Sequence, residues 1–257
     1  GYSLRLIFTE AGMRQEVRRG RKFIEYQDDS LPVGTLVQEI GAHDVSYQDE
    51  NSVWRPIDEN WETDGQDGFS FRAQRMNHKV RFDSIGAWRW YPRRDVETEY
   101  IIINRPRCWL TRTNRWGYLL ATGISREGKD ITITSLRNVT LVIHSRWNSI
   151  KTDWILENAD APTRFQQQID LVGLTEVDGW LYGADGEQVA RLTPTTAIDA
   201  EGNELPTSTS YENGMLEFSA DVTGAVFPVT IDPDYAGDTG DGYIVSSTAV
   251  WATARST

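Results

Sequence analysis

The chain has 257 residues, with 26 Lys and Arg against 38 Asp and Glu, a formal net charge of −12. At 39% hydrophobic and 25% charged residues its composition is that of a folded protein and excludes a disordered one. Residues 1–120 hold 18 basic and 18 acidic side chains and residues 121–257 hold 8 and 20, so the excess acid lies wholly in the second part and disfavours non-specific DNA binding.

Residues 1–40 read as an N-terminal arm. Leu4, Leu6 and Phe8 alternate with Arg5 and Ile7, which predicts a strand. Arg14, Arg18, Arg19, Arg21 and Lys22 then cluster around Gly20, followed by acidic Glu25, Asp28 and Asp29. The mixed charge favours a solvated face or a subunit contact over nucleic acid. Leu31-Pro32-Val33-Gly34 leads into a first β-rich domain, expected over 41–160.

From there the dominant period is two, which puts successive side chains on opposite faces of a sheet. Ile131 and Ile133, then Val139, Leu141 and Ile143, alternate with polar neighbours. So do Phe165, Gln167, Ile169 and Leu171, and then Leu216 and Phe218. Asp64-Gly65, Asp67-Gly68, Asp178-Gly179, Asp185-Gly186, Asn213-Gly214 and Asp241-Gly242 punctuate these runs with residues that tolerate the positive φ of tight hairpins. Many short strands at close spacing predict an all-β fold of antiparallel sandwiches. No helix longer than three turns is expected. Residues 161–235 form a second β-rich part of the same module. Residues 236–257 are expected to be a linker and the first strands of a following sandwich, beginning at Tyr243.

Gly86-Ala87-Trp88-Arg89-Trp90-Tyr91-Pro92-Arg93-Arg94 is dense in aromatic and Arg residues. Trp88 and Trp90 share one strand face and are assigned to the core, with Arg89 opposite. Arg93 and Arg94 are expected to pair with Asp95, Glu97 or Glu99, or with a neighbouring subunit. Arg14, Arg18, Arg19, Arg21, Arg89, Arg93 and Arg94 are the candidate partner interface, since Trp, Tyr and Arg are enriched at interfaces.

Catalytic signatures are scarce, and no catalytic residue is assigned. His43, His78 and His144 lie far apart, without the short His/Cys spacings that metals prefer. No nucleophile elbow, dinucleotide fingerprint or P-loop occurs. Asp232, Asp234, Asp238 and Asp241 fail as a calcium loop, because Ala236 stands at a ligand position. No metal or cofactor is expected. Cys108, the one cysteine, cannot form an internal disulfide and is placed at a half-buried strand position. Asn138-Val139-Thr140 matches a glycosylation acceptor but is read as regular strand. No apolar run approaches the ~18 residues of a membrane-spanning helix. The chain opens Gly1-Tyr2-Ser3 without a signal-peptide pattern and stops at Ser256-Thr257, as expected of a piece of a longer or processed polypeptide.

Two segments carry a resemblance. Residues 45–58, with Tyr47, Asp49, Trp54, Ile57 and Asp58, resemble a "Y-x-D-x-x-G-x-W-x-x-I-D" hairpin of bacteriophage structural proteins and of bacterial Rhs and wall-associated surface proteins. Phe227-Pro228-Val229-Thr230-Ile231-Asp232-Pro233 resembles the "Y-P-V-x-I-D-P" strand that closes that module. Ala197–Asn203 and Ala161–Leu171 follow the same pattern. Ser52 stands where the hairpin usually has Gly, and Phe227 where Tyr is common. In the hairpin, Tyr47, Val53 and Ile57 are expected to cover a core while Asp49 to Asn51 turn.

The resemblance implies a non-enzymatic virion protein of a tailed phage: a fibre, spike or capsid decoration component docked by its N-terminal region. Other capsid, neck or tail proteins would be its partners, with a homo-oligomer, by analogy a trimer. Nucleic acid and membrane are not expected partners, and any host-surface glycan is assigned to the distal domain. Two alternatives stand beside it, a bacterial cell-surface adhesin or Rhs-like wall protein and a polysaccharide-degrading enzyme. The balanced, Arg-dense first half is the expected docking half.

Overall fold

The structure is a computed structural model. It describes residues 46–49, 51–76, 78–83, 86–146 and 149–233, and as strand backbone alone 6–9, 12–19, 23–28, 36–40 and 234–237. Arg21, Lys22, the Leu31–Gly34 lead-in, Asp238, Asp241 and the expected linker and following strands from 238 to 257 lie outside the described residues. The fold is all-β, with several antiparallel sheets. Among the described residues the one helical feature is a 3-10 turn, Thr111–Thr113.

The described strands fall into two compact units. In the first, β1 (Leu6–Thr9), β2 (Gly12–Arg19), β3 (Phe23–Asp28) and β4 (Leu36–Ile40) form an antiparallel meander in chain order. The N-terminal region is thus a four-stranded sheet, with Arg14, Arg18 and Arg19 on β2. β5 (Ser46–Gln48) and β6 (Trp54–Pro56) form a separate hairpin that pairs Tyr47 with Arg55.

The second unit continues with β7 (Glu62–Thr63), β8 (Phe69–Ala73), β9 (Lys79–Asp83), β10 (Trp88–Tyr91) and β11 (Tyr100–Ile103). The hairpin β12 (Arg107–Leu110) and β13 (Arg115–Tyr118) follows. β14 (Ala121–Glu127), β15 (Asp130–Ser135), β16 (Val139–Arg146) and β17 (Ser149–Leu156) make a second meander. Then come β18 (Arg164–Val172), β19 (Thr175–Val177), β20 (Trp180–Tyr182), β21 (Gln188–Leu192) and β22 (Thr196–Ile198). β23 (Thr207–Glu212), β24 (Met215–Ala220), β25 (Val229–Asp232) and β26 (Asp234–Gly237) complete it.

Two turns show how sequence sets these connections. Asn213-Gly214 alone joins β23 to β24, and Asp178-Gly179 alone joins β19 to β20. All four residues have positive φ, between 51° and 81°. Both residues of a two-residue hairpin loop need that conformation when the strands carry the usual twist.

These strands form two sheets. In one, β18 is the meeting strand: it pairs with β11 through 169–172, with β12 through 165–166 and with β24 through 164–168. In the other, the β14–β17 meander pairs with β25 and β26, and these pair with β22 and β21. The sheets meet at an aromatic cluster. Trp154 on β17 packs against Phe165 on β18 and Phe218 on β24, with ring centroids 4.8 and 5.0 Å away. All three rings are buried. The Trp154 indole N–H is placed 3.4 Å from the Thr152 hydroxyl, which itself donates to the Pro233 carbonyl at 2.7 Å. Trp88, Trp90, Phe82, Ile101, Ile103, Ile131, Leu141 and Ile143 are buried on the same inner faces.

A second link joins the sheets through His78, which is buried. The Trp90 indole can only donate, so His78 Nδ1 accepts its proton at 2.9 Å. That leaves Nε2 as the protonated nitrogen, donating to the Arg146 carbonyl at 2.6 Å. Burial drives the His78 pKa down to about 4, against the Arg146 hydrogen bond, so the ring is neutral near neutral pH.

The residues of β15, β16, β17 and β25 that face away from this core carry a polar row. His144 Nδ1 lies 2.7 Å from Asp130 and Nε2 2.9 Å from Asp153, while Lys151 lies 2.8 Å from both Asp153 and Asp232. The Asp153 hydrogen bond raises the His144 pKa above its ordinary value of 6.5, against burial and with help from Asp130. Burial pushes the Asp153 carboxyl up, but His144 and Lys151 together outweigh it and hold it below the ordinary carboxylate range.

Three readings of the sequence are corrected here. Val53 is 42% exposed and covers no core, because the turn of its hairpin runs through it rather than ending at Asn51. Asn138 lies in the turn before β16, exposed and at φ 55°, not inside a strand. Cys108 is fully buried rather than half-buried, because it stands on the inner face of β12.

Candidate functional site

The resembling segments build turns and framework. Asp49 closes the β5–β6 hairpin with one carboxylate oxygen accepting the Asn51 and Val53 amides, both at 3.0 Å. Its other oxygen accepts from Arg55 at 2.8 Å. Its own amide donates to the Val53 carbonyl, and Ser52 N–H donates back to the Asp49 carbonyl. The Arg55 hydrogen bond first, then the Val53 amide, hold this carboxyl below its ordinary pKa.

Asp199 repeats the arrangement: it accepts from the Glu201 and Asn203 amides, donates to the Asn203 carbonyl, and its own carbonyl takes Gly202 N–H. Asp83 repeats it in part, exchanging hydrogen bonds with Ala87 by side chain and backbone. The fourth residue is Ser52, Gly86 or Gly202, and all three have positive φ: 59°, 92° and 84°. The Asp-x-x-Gly spacing therefore has a physical cause. A carboxylate caps amides two and four residues on, and the intervening left-handed position favours Gly. Ser52 adopts it with a side chain present.

Elsewhere in these segments Tyr47 is buried, whereas Trp54 and Ile57 are half-buried. Asp58 donates its amide to the Arg75 carbonyl at 2.9 Å and pairs with the Arg75 guanidinium at 3.4 Å. In the closing segment the Phe227–Pro228 peptide is cis, Val229 and Ile231 point into the core, and Pro233 accepts from Thr152. Asp232 holds Lys151. Asp234 lies on β26.

The Trp-Arg segment divides by face. Trp88 and Trp90 are buried, and Arg89 stands opposite, over Tyr100 at 4.7 Å and Phe69 at 5.3 Å. Arg93 pairs with Glu99 at very short range, and also with Asp185 and Glu187 on the β20–β21 connection. The Glu99 side chain is only 4% exposed and also accepts the Ala184 amide at 2.9 Å. A Cβ at Gly183 would stand 2.5 Å from Arg93, so glycine gives this cluster its room. Arg94 is half-buried and engaged within the chain. Replacing Arg93 by alanine is expected to cost about 3 kcal/mol, the low end for a broken buried pair, because Glu99 would stay buried without its cation while Arg93 is itself partly exposed. Urea unfolding reads this loss, and adding Glu99→Gln should recover part of it.

A face of the β12–β13–β18–β24 region collects residues that sequence reasoning did not assemble. With Cys108 inward, Arg107 and Trp109 face outward. The register sets them opposite Tyr118 and Trp116. Trp109 and Trp116 meet edge to face at 5.4 Å. Arg164 lies 5.3 Å from both rings and donates from Nε to Glu217 at 2.6 Å.

Beside them is a groove of about 330 Å3 lined by Asn104, Arg105, Arg107, Tyr118, Gln168 and Met215. Tyr118 is 47% exposed. The Arg105 and Arg107 guanidinium groups lie over its ring at 5.5 and 4.9 Å, and Arg107 donates to its hydroxyl at 3.2 Å. The Arg107 hydrogen bond and charge draw the Tyr118 hydroxyl pKa below its ordinary value. Asn104 and Gln168 each donate a side-chain amide to Asp170 at 2.8 Å. Alternation through 107–109 and 116–118 was the available signal, but the pairing that brings the two stretches together is tertiary.

Compared with family models, curated proteins and solved structures, the chain matches none.

Proposed function

We propose that the chain is a non-enzymatic structural protein of a tailed-bacteriophage particle, a fibre, spike or decoration component. It docks on other virion proteins through its N-terminal region as a homo-oligomer and presents a distal domain. The observation that carries this reading is the role of the resembling residues. Asp49 and Asp199 cap turns, Ile231 fills the core and Asp232 anchors a lysine. These are the duties of a framework rather than of a cleft. The carboxylates beside the groove favour binding over glycan cleavage, since Asp170 accepts from two amides and Glu217 is paired with Arg164. A bacterial surface adhesin is the second reading, favoured by the outward face on which half-buried Trp109, Trp116, Arg105 and Arg107 surround exposed Tyr118.

Mass spectrometry of gradient-purified particles, produced by the genome that encodes this chain, tests the proposal. Its peptides are expected in a fixed ratio to the major coat protein. Release of reducing ends from polysaccharide by the purified chain would instead establish the enzyme.

A further inference from the structure

We propose that the groove at Tyr118 binds a carboxylated saccharide. The inference goes beyond the particle assignment and stands whatever assembly the chain belongs to.

Four features converge on this chemistry. The cavity, about 330 Å3, lies within the range of small-molecule sites. Arg105 and Arg107 both reach it, and among the described residues neither forms an ion pair with a carboxylate. Other described arginines, Arg112, Arg115 and Arg191 among them, share that state, but Arg105 and Arg107 are the two that line the groove. Two cations over one ring, both lining the groove and neither paired with a carboxylate, offer a place for an anion, and the forked guanidinium suits a carboxylate.

The third feature is the Tyr118 ring, nearly half exposed between the groove and solvent. The part of the ring that the two guanidinium groups leave uncovered offers apolar contact to the C–H groups of a pyranose ring. The fourth is the pair of amides. Asn104 and Gln168 use their N–H groups on Asp170, which fixes both side chains and leaves their carbonyl oxygens to accept from hydroxyls. A planar face, a cation pair and two fixed acceptors together match a sugar acid better than a neutral sugar or a bare inorganic anion. A neutral sugar would leave the arginines unmatched, and an inorganic anion would leave the ring and the amides unused. Asp170 beside the groove repels any anion, and a polyphosphate with its higher charge more than a single carboxylate.

The test is calorimetric titration of the 257-residue chain. The probes are short oligomers of galacturonate, glucuronate and mannuronate and a sialyl-lactose, each against its carboxyl-reduced counterpart. Sodium sulfate and a single-stranded DNA oligonucleotide serve as competitors. At least one acidic probe is expected to bind saturably, and its reduced counterpart roughly tenfold or more weakly. Arg107→Gln and Tyr118→Ala should each weaken binding by roughly fivefold or more with an unchanged unfolding midpoint, and added salt should weaken it further. Three results would overturn the proposal: no saturable binding by any acidic probe, equal binding by the reduced sugars, or full displacement by sulfate or DNA at equal concentration. If Arg107→Gln shifts the unfolding midpoint, Arg105→Gln carries the same comparison. Particle association plays no part in this readout, so its failure and that of the particle assignment are separable.

Discussion

Replacing Trp154 by alanine is expected to remove about 3–5 kcal/mol of stability, the range for deleting a large buried aromatic. The ring has no exposure and is the shared neighbour of Phe165 and Phe218. Those two stand on β18 and β24 of one sheet and Trp154 on β17 of the other, so the cavity would open between the layers. A single domain has only ~5–15 kcal/mol in all, so the variant should unfold near the start of a urea titration. Trp154→Phe keeps most of the volume and should lose clearly less. A loss below ~1 kcal/mol for Trp154→Ala would mean that this cluster does not hold the sheets together.

The second large effect is acid destabilisation through His78. Its folded pKa is about 4 against an ordinary 6.5. Between those values the unfolded chain binds the proton that the folded chain refuses. Stability therefore falls as pH drops through this window, by about 3 kcal/mol at 1.36 kcal/mol per pH unit. His144 has the opposite sign. Its raised pKa adds stability that is fully present below pH 6.5 and lost as pH climbs through the folded value. The lowered Asp153 carboxyl contributes above its ordinary 3.8 and loses that contribution only as pH falls through its depressed folded value. Together the histidines place the stability maximum near pH 6.5. Urea midpoints measured from pH 4 to 9 read both limbs. His78→Gln, which can still accept from Trp90 and donate to Arg146, should flatten the acid limb alone. An unchanged acid limb in that variant would assign the effect elsewhere.

The sequence made the strand faces legible where alternation was long and local. Phe165, Gln167 and Ile169, Val139, Leu141 and Ile143, and Trp88 and Trp90 are all buried as the period requires. The Asp-Gly and Asn-Gly turns were equally legible, because positive φ at Asn213-Gly214 is a property of those two residues. Glu99 was among the expected partners of Arg93, but Asp185, 92 positions away, had no local signal. The two-sided pairing of β18 was hidden for the same reason, since strand order is settled by long-range closure rather than by period. The groove depends on that order. Arg107 and Tyr118 come together through the β12–β13 register, and Gln168 joins them because β18 pairs beside β12. Val53 shows the opposite failure. It had the right phase for a core position, but the Asp49 carboxylate draws its amide into the turn.

Images of intact particles from the genome that encodes this chain, averaged to resolve individual chains, test the central claim most directly. The account predicts density for the two-sheet β unit, repeated with the symmetry of the particle and attached through the N-terminal sheet. Particles without that density, with the chain recovered instead as a monodisperse monomer from a cell-wall or membrane fraction, would contradict it.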